Sequence, residues 1–225
     1  MFSRTSSRVE TRNAIVTRTV LLLSGAVLAG PACSAGTGPV AGLAEAGTSS
    51  AGVGAKCTPS REGDPSFRGS GEQQVSVETG AASCQTGVCL INHFRGRVSC
   101  PYGQSAEGVA PAGAQPCTTP KGAAVTGSAS DPRRKALVPP QCVDRAADRA
   151  VYCSCRCAND AGRTDDGGTY CGCSIGFECA NVVASIGAST KDTAGSYCVK
   201  MGTVYDPDTA CNQGDCDPVA KKCGP

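Results

Sequence analysis

Seventeen cysteines in a chain of 225 residues constrain this sequence more than any other feature. They matter because the usual material of a core is scarce. Leu, Ile, Val and Phe together number 35, about 16%, below the roughly 20% at which a chain builds an ordinary apolar interior. Such a chain would normally stay unfolded, yet its formal net charge of +2 lacks the self-repulsion of a disordered protein. Cross-links resolve the conflict. The same scarcity excludes a transmembrane bundle, a doubly wound nucleotide-binding domain and a (β/α)₈ barrel, which all need long aliphatic helices or strands. The expected fold class is small and disulfide-rich: mainly short β-strands and loops, little helix, and no large hydrophobic core.

Cysteines pair stably only in an oxidising compartment, and the amino terminus supplies an export signal. Arg4, Arg8, Arg12 and Arg18 stand against one acid, Glu10, and lead into an apolar run, Thr19 to Gly30. A basic segment, about a dozen apolar residues and then small residues form a secretory signal, too short to span a bilayer as a helix. Residues 1–32 are read as that signal. The stretch Leu28-Ala-Gly-Pro-Ala-Cys33 resembles the lipobox of bacterial lipoproteins. The resemblance implies acylation of Cys33 as the first mature residue, and Ser34 after it implies sorting to an outer membrane. The alternative is ordinary cleavage nearby, with Cys33 free or bridged. Residues 33–56 continue as an Ala/Gly/Ser tether, whose 23 residues after Cys33 reach roughly 25–30 Å as a flexible coil.

Setting Cys33 aside leaves an even number of cysteines, all able to pair. Cys57, Cys84, Cys89, Cys100, Cys117 and Cys142 form a six-cysteine module over 57–142; Cys153, Cys155, Cys157, Cys171, Cys173, Cys179, Cys198, Cys211, Cys216 and Cys223 form a ten-cysteine module over 143–225. The boundary is soft and implies no independence of the two. Connectivity is open, since sixteen cysteines allow about two million pairings. Local geometry removes a few. In Cys153-Ser-Cys-Arg-Cys157, neighbours at i and i+2 of a strand lie about 6.5 Å apart or more, at the edge of disulfide reach. If the segment is one strand, its three cysteines share a face and need three different partners. Zinc or copper(I) thiolate binding is the rival reading; without a nearby His, no metal or other cofactor is expected.

Tyr-Cys occurs three times, at Tyr152, Tyr170 and Tyr197, and reads as a short strand entering a bridge; an exposed Tyr surface for carbohydrate is the alternative. The stretch Cys171-Gly-Cys-Ser-Ile-Gly-Phe-Glu-Cys179 resembles part of the epidermal growth factor-like signature, which implies a small disulfide module. Leu90 to Tyr102 reads as two short strands around a turn near Arg95-Gly96. Helix is expected only as a turn or two at Asp144–Ala150 and over Glu178–Ile186, stopped by Gly187.

Catalytic signals are sparse. His93 is the one His of the chain; it has no nucleophile motif beside it and reads as a structural residue. Asp165-Asp166-Gly167-Gly168, with Asn159-Asp160 upstream, reads as a polar turn, with a calcium loop as the alternative. No catalytic residue is assigned. Residues 34–225 carry 17 Lys and Arg against 18 Asp and Glu, so the positive charge belongs to the signal and no nucleic-acid partner is expected. Arg133-Arg134-Lys135 reads as a solvated loop. The expected protein is therefore non-catalytic, exported and lipid-anchored or extracellular. It would be a structural or interaction module whose loops meet protein or carbohydrate, with extracellular metal or calcium binding as the alternative function.

Overall fold

Strands of three to seven residues, set among long irregular connections, carry the structure. A computed structural model describes residues 52–127, 136–184 and 193–223, all within one unit, Ala46–Pro225. The expected signal, Cys33, most of the expected tether and Arg133-Arg134-Lys135 lie outside the described residues. Strands β1 (Val75–Thr79), β2 (Val88–Asn92) and β3 (Val151–Cys153) form one antiparallel sheet, ordered β1-β2-β3. Strands β4 (Arg156–Ala158), β5 (Phe177–Val183) and β6 (Gly195–Lys200) form a second, ordered β4-β6-β5. Among the described residues, helix amounts to the single turn α1 (Ala147–Ala150) and 3₁₀ turns at Ser60–Gly63 and Val143–Arg145. This is the disulfide-rich strand-and-loop class that the composition demands.

The period-2 alternation of strands explains how so few apolar residues suffice. Along β2 and β3, Cys89, Ile91, Val151 and Cys153 face one cluster, completed by Phe94 and two further cysteines. Leu90 and Tyr152 face another, shared with Tyr197 and Val199 of β6. Strands β2 and β3 are thus buried on both sides. Tyr152 also joins the sheets directly: its ring meets Phe177 edge-on at 5.7 Å, and its hydroxyl accepts a hydrogen bond from Lys200 N at 3.0 Å. Two of the three Tyr-Cys pairs stand in strands, in β3 and β6; Tyr170 and Cys171 do not.

All sixteen described cysteines are bridged, in eight pairs. Four of the pairs form two copies of one device. In the first sheet Cys89 stands opposite Cys153, with Leu90 opposite Tyr152; in the second, Cys179 stands opposite Cys198, with Ala180 opposite Tyr197. The facing cysteines do not bond to each other. Cys89 joins Cys57 and Cys153 joins Cys84, at Cα separations of 5.9 and 5.3 Å. Cys179 joins Cys157 and Cys198 joins Cys173, at 5.9 and 5.4 Å. Each unit therefore links its first cysteine to its third and its second to its fourth, and the fourth follows a Tyr in both. The bridges Cys84–Cys153 and Cys142–Cys211, with the β2–β3 pairing, cross the position after Cys142 where the sequence sets its soft boundary.

Three local expectations are corrected. The helix expected over Glu178–Ile186 does not form in its described part: Glu178–Val183 lies in β5, where Cys179 must face Cys198 across a ladder and Val182 and Val183 add β-branched residues to the inner cluster, and residues 185–186 lie outside the described residues. The segment Cys153–Cys157 is not one strand. Ser154 is fully buried where the chain leaves the first sheet, its N–H donating to Val88 O at 3.0 Å and its Oγ to Cys198 O at 2.8 Å. Cys153, Cys155 and Cys157 still take three different partners: Cys84, Cys171 and Cys179. Leu90–Tyr102 is not a two-strand hairpin, because β2 pairs with the upstream β1 and Gly96 bridges to Ser70 instead. Gly96 has φ of 88°, and a Cβ there would lie 2.5 Å from Pro139 O; only glycine fits this crossing.

Long loops carry backbone groups that no ladder satisfies, and an unpaired buried N–H or C=O is costly. Buried polar side chains take that role. The Arg97 guanidinium, fully enclosed, donates to the carbonyls of Glu62, Asp64 and Phe67. The buried Glu62 carboxylate accepts from the backbone N–H of Val98 and Ser99. Gln104 holds Val125 O, Ala136 O and Cys117 N at 3.1, 2.7 and 2.7 Å. Arg145 donates to the carbonyls of His93 (2.8 Å), Thr203 (3.1 Å) and Asn92.

Two outcomes are expected. Non-reducing peptide mapping should recover Cys84 linked to Cys153 and Cys142 linked to Cys211, and a Cys89–Cys153 or Cys179–Cys198 link would refute the paired-unit scheme. Glu62→Ala strands two backbone donors and leaves Arg97 without its counter-charge, so denaturant unfolding with bridges intact should show a loss of about 3 kcal/mol. A loss under about 1 kcal/mol would deny Glu62 this role.

Candidate functional site

The two turns between Cys142 and Val151 build the wall of a groove of about 580 Å³, a size that accepts a drug-sized molecule or a few side chains of a peptide. Its floor is apolar, formed by Val98, Pro101, Val143, Ala147 and Val151. Polar groups come from Lys56, Thr58, Gln141, Asp148 and Arg149, and Cys223 closes one side. Gln141 is spent on structure: its Nε2 donates to Arg97 O at 2.7 Å and its Oε1 accepts from Ala147 N at 3.0 Å. The walls are cross-linked by Cys57–Cys89 and Cys216–Cys223, so the groove is preformed and a ligand need not order it.

A second, smaller cavity of about 260 Å³ is polar, with Asp144, Arg145, Arg149, Asp206 and Thr209 in its lining. Arg149 belongs to both cavities and stands on the ridge between them. Behind this pocket His93 stacks on Tyr205, with ring centroids 3.8 Å apart and planes 3° from parallel. The Arg145 guanidinium lies 5.3 Å from the Tyr205 ring centre, and Gln73 Nε2 donates to the Tyr205 hydroxyl at 3.0 Å. His93 Nδ1 lies 3.0 Å from Glu72 O. Burial holds the imidazole below its ordinary pKa; the contact with Glu72 O opposes that shift and the Arg145 charge adds to it. His93 sits in the left-handed region, φ 50°, just after β2, which is what aims its ring at Tyr205 and away from the ladder.

The acidic turn spends its oxygens internally. Asp166 accepts from the Tyr170 hydroxyl at 2.6 Å, Asn159 Nδ2 at 2.9 Å and Gly168 N at 3.1 Å. These bonds, the one from Tyr170 foremost, hold its carboxyl well below the usual carboxylate range. Asn159 Oδ1 in turn accepts from Ala161 N and Arg163 N. The arrangement is a self-satisfied polar turn.

The sulfurs crowd into clusters. Cys198 Sγ lies 3.7 Å from Cys171 Sγ and 3.8 Å from Cys155 Sγ, and Cys57, Cys84 and Cys153 form a similar group. Every one of these sulfurs is in a bridge, so none is a thiolate, and thiolate is the form that holds zinc or copper. The structure thus brings the sequence-assigned cysteines together as cross-links. Sequence reasoning missed the groove, the ridge residue Arg149 and the service of Arg97 and Arg145 to the backbone. No spacing marks the two buried arginines, because their partners lie 30 to 58 residues away. No protein-family model, curated protein or solved structure matches this chain.

Because the chain contains a single His, its titration is isolated. A folded-state pKa below the unfolded one means the unfolded chain binds the proton more readily, so this stabilisation is complete above the ordinary value near 6.5 and is lost as pH falls through the folded value. Denaturant midpoints should fall from pH 7.5 toward pH 5. His93→Phe keeps a ring on Tyr205 and should flatten that slope; an unchanged slope would assign it to other groups.

Proposed function

We propose that this chain is an exported, lipid-anchored protein of the cell envelope that acts without catalysis, as a disulfide-stapled interaction module. The observation that carries the reading is the complete pairing of the sixteen cysteines after the tether. Such a framework forms and persists in an oxidising compartment, and it leaves Cys33 as the odd cysteine of seventeen, at the position where the lipobox resemblance puts an acyl chain. The basic and apolar leader supplies export, and the tether lets the stapled unit stand clear of a membrane surface. The rigid, preformed groove supports a role in binding, because association there costs little ordering. Its occupant would be protein or carbohydrate.

Anchoring is read by fractionation. Wild-type protein should sediment with membranes and incorporate labelled palmitate, and Cys33→Ala should lose the label and leave the membrane fraction. A Cys33→Ala variant that fractionates as wild type would overturn the lipid anchor.

A further inference from the structure

Thirteen Lys and Arg lie in the described residues, and most are committed. Arg95 pairs with Asp215 and Arg163 with Asp165; Arg97 and Arg145 are buried on backbone carbonyls; Arg61 lies over Phe67 and Lys200 on Asp148 O; Arg68 and Arg156 also have partners. The side chains of five have none among the described residues: Lys56, Lys121, Arg149, Lys221 and Lys222. Two of those five line the groove and two stand on a loop whose end reaches it. Lys56 and Arg149 line the apolar-floored groove, and Lys221 and Lys222 stand on the loop that ends at Cys223, itself part of the groove wall.

That loop is held for display. The Cys216–Cys223 bridge closes it, Asp217 and Lys222 exchange backbone hydrogen bonds at 2.9 and 3.2 Å, and Asp217 Oδ1 accepts from Val219 N and Ala220 N. Val219 is 72% exposed at its tip. Lys221 and Cys223 are non-glycine residues at positive φ, 52° and 58°, a conformation that persists where surrounding constraints impose it. The acids nearby are Asp148 in the groove lining, Asp144 and Asp206 beside Arg145 and Arg149 in the adjoining cavity, and Asp217 at the loop base, the last engaged with its own turn. The local balance is positive on a mature chain that is otherwise slightly acidic.

We propose that the groove and its basic rim are a docking site for an acidic peptide segment, with apolar side chains filling the floor and carboxylates facing Lys56, Arg149, Lys221 and Lys222. This rests on the interaction-module reading and names its surface and partner chemistry. An unpaired surface cation costs nothing in the free protein and steers an opposite charge toward the cleft. The concavity favours a peptide over an anionic membrane, because a bilayer surface cannot send side chains into a cleft.

The test uses the purified, fully oxidised protein and a fluorescein-labelled peptide of repeating Glu-Leu-Ser, read by anisotropy. Saturable binding is expected, weakened by added salt, by Ser in place of Leu, and by Lys in place of Glu. The double variant Lys56→Glu/Arg149→Glu should weaken it by roughly 10-fold or more, whereas Lys121→Glu, the free cation away from the groove, should change it less than about 2-fold. All three substitutions are at residues without side-chain partners, so the bridge map should be unchanged. No saturable binding, or equal loss with Lys121→Glu, overturns the proposal. Capture by phosphatidylglycerol vesicles without peptide binding overturns it in favour of a lipid surface. None of these results bears on export or anchoring, which fractionation of Cys33→Ala reads separately.

Discussion

Everything in this structure depends on a cross-strand cysteine pair that bonds outward. Two antiparallel neighbours place their side chains on the same face, and here the facing residues are Cys89 and Cys153 in one sheet, Cys179 and Cys198 in the other. A bond between them would only restate a contact that the ladder already makes. Bonding each elsewhere instead ties two loops, at Cys57 and Cys84, to one point of the first sheet, and ties β4, at Cys157, and the loop of Cys173 to one point of the second. The chain thereby gains four long-range constraints from four strand positions. In a chain-entropy picture a link spanning 69 residues contributes about 4 kcal/mol and one spanning 7 about 2.5 kcal/mol, chiefly by restricting the unfolded state. The longer link exceeds what a buried Leu or Val supplies in its place, and the shorter one matches it.

The second dependency follows from the first. Bridges fix where loops go but satisfy none of their peptide groups, and strands this short leave many carbonyls without a ladder. Arginine is suited to the deficit, since a planar guanidinium carries five donors and stays charged when burial lowers its pKa, as it does for Arg97 and Arg145. Glu62 performs the converse service for two N–H groups. The interior is accordingly part sulfur, part hydrogen-bonded polar network, with one apolar cluster gathered around Tyr152 and Tyr197. The same economy explains the groove: α1 and the turn before it are held by Gln141, Arg145 and the Cys142–Cys211 bridge, leaving small residues such as Ala147 facing a cleft that no large side chain fills.

Legibility from sequence was uneven for physical reasons. The class was readable because it follows from a shortage: with so few aliphatics, cross-links are the available source of stability. That Cys153, Cys155 and Cys157 take separate partners was readable because extended neighbours at i and i+2 stand at the edge of disulfide reach. The break at Ser154 was not, since alternation continues through it unbroken, and only the hydrogen bonds from Ser154 to Val88 and Cys198 show why the chain changes sheets there. The helix expected near Glu178 failed in the same way. Local propensity was overridden by a ladder to β6 that begins some fifteen residues further on. Groove and rim were invisible for a related reason, their cations being ordinary surface residues until the fold collects them.

By itself, then, the sequence determined that this protein is a cross-linked scaffold of short strands, because composition and cysteine count are sums over residues and need no geometry. Which cysteine meets which, that the four-cysteine unit occurs twice, and that unpartnered cations gather beside an apolar cleft were decided by the tertiary structure alone. Those features depend on which segments lie opposite one another in space, and an outward disulfide or a buried arginine chooses its partner by that proximity, whatever the separation along the chain.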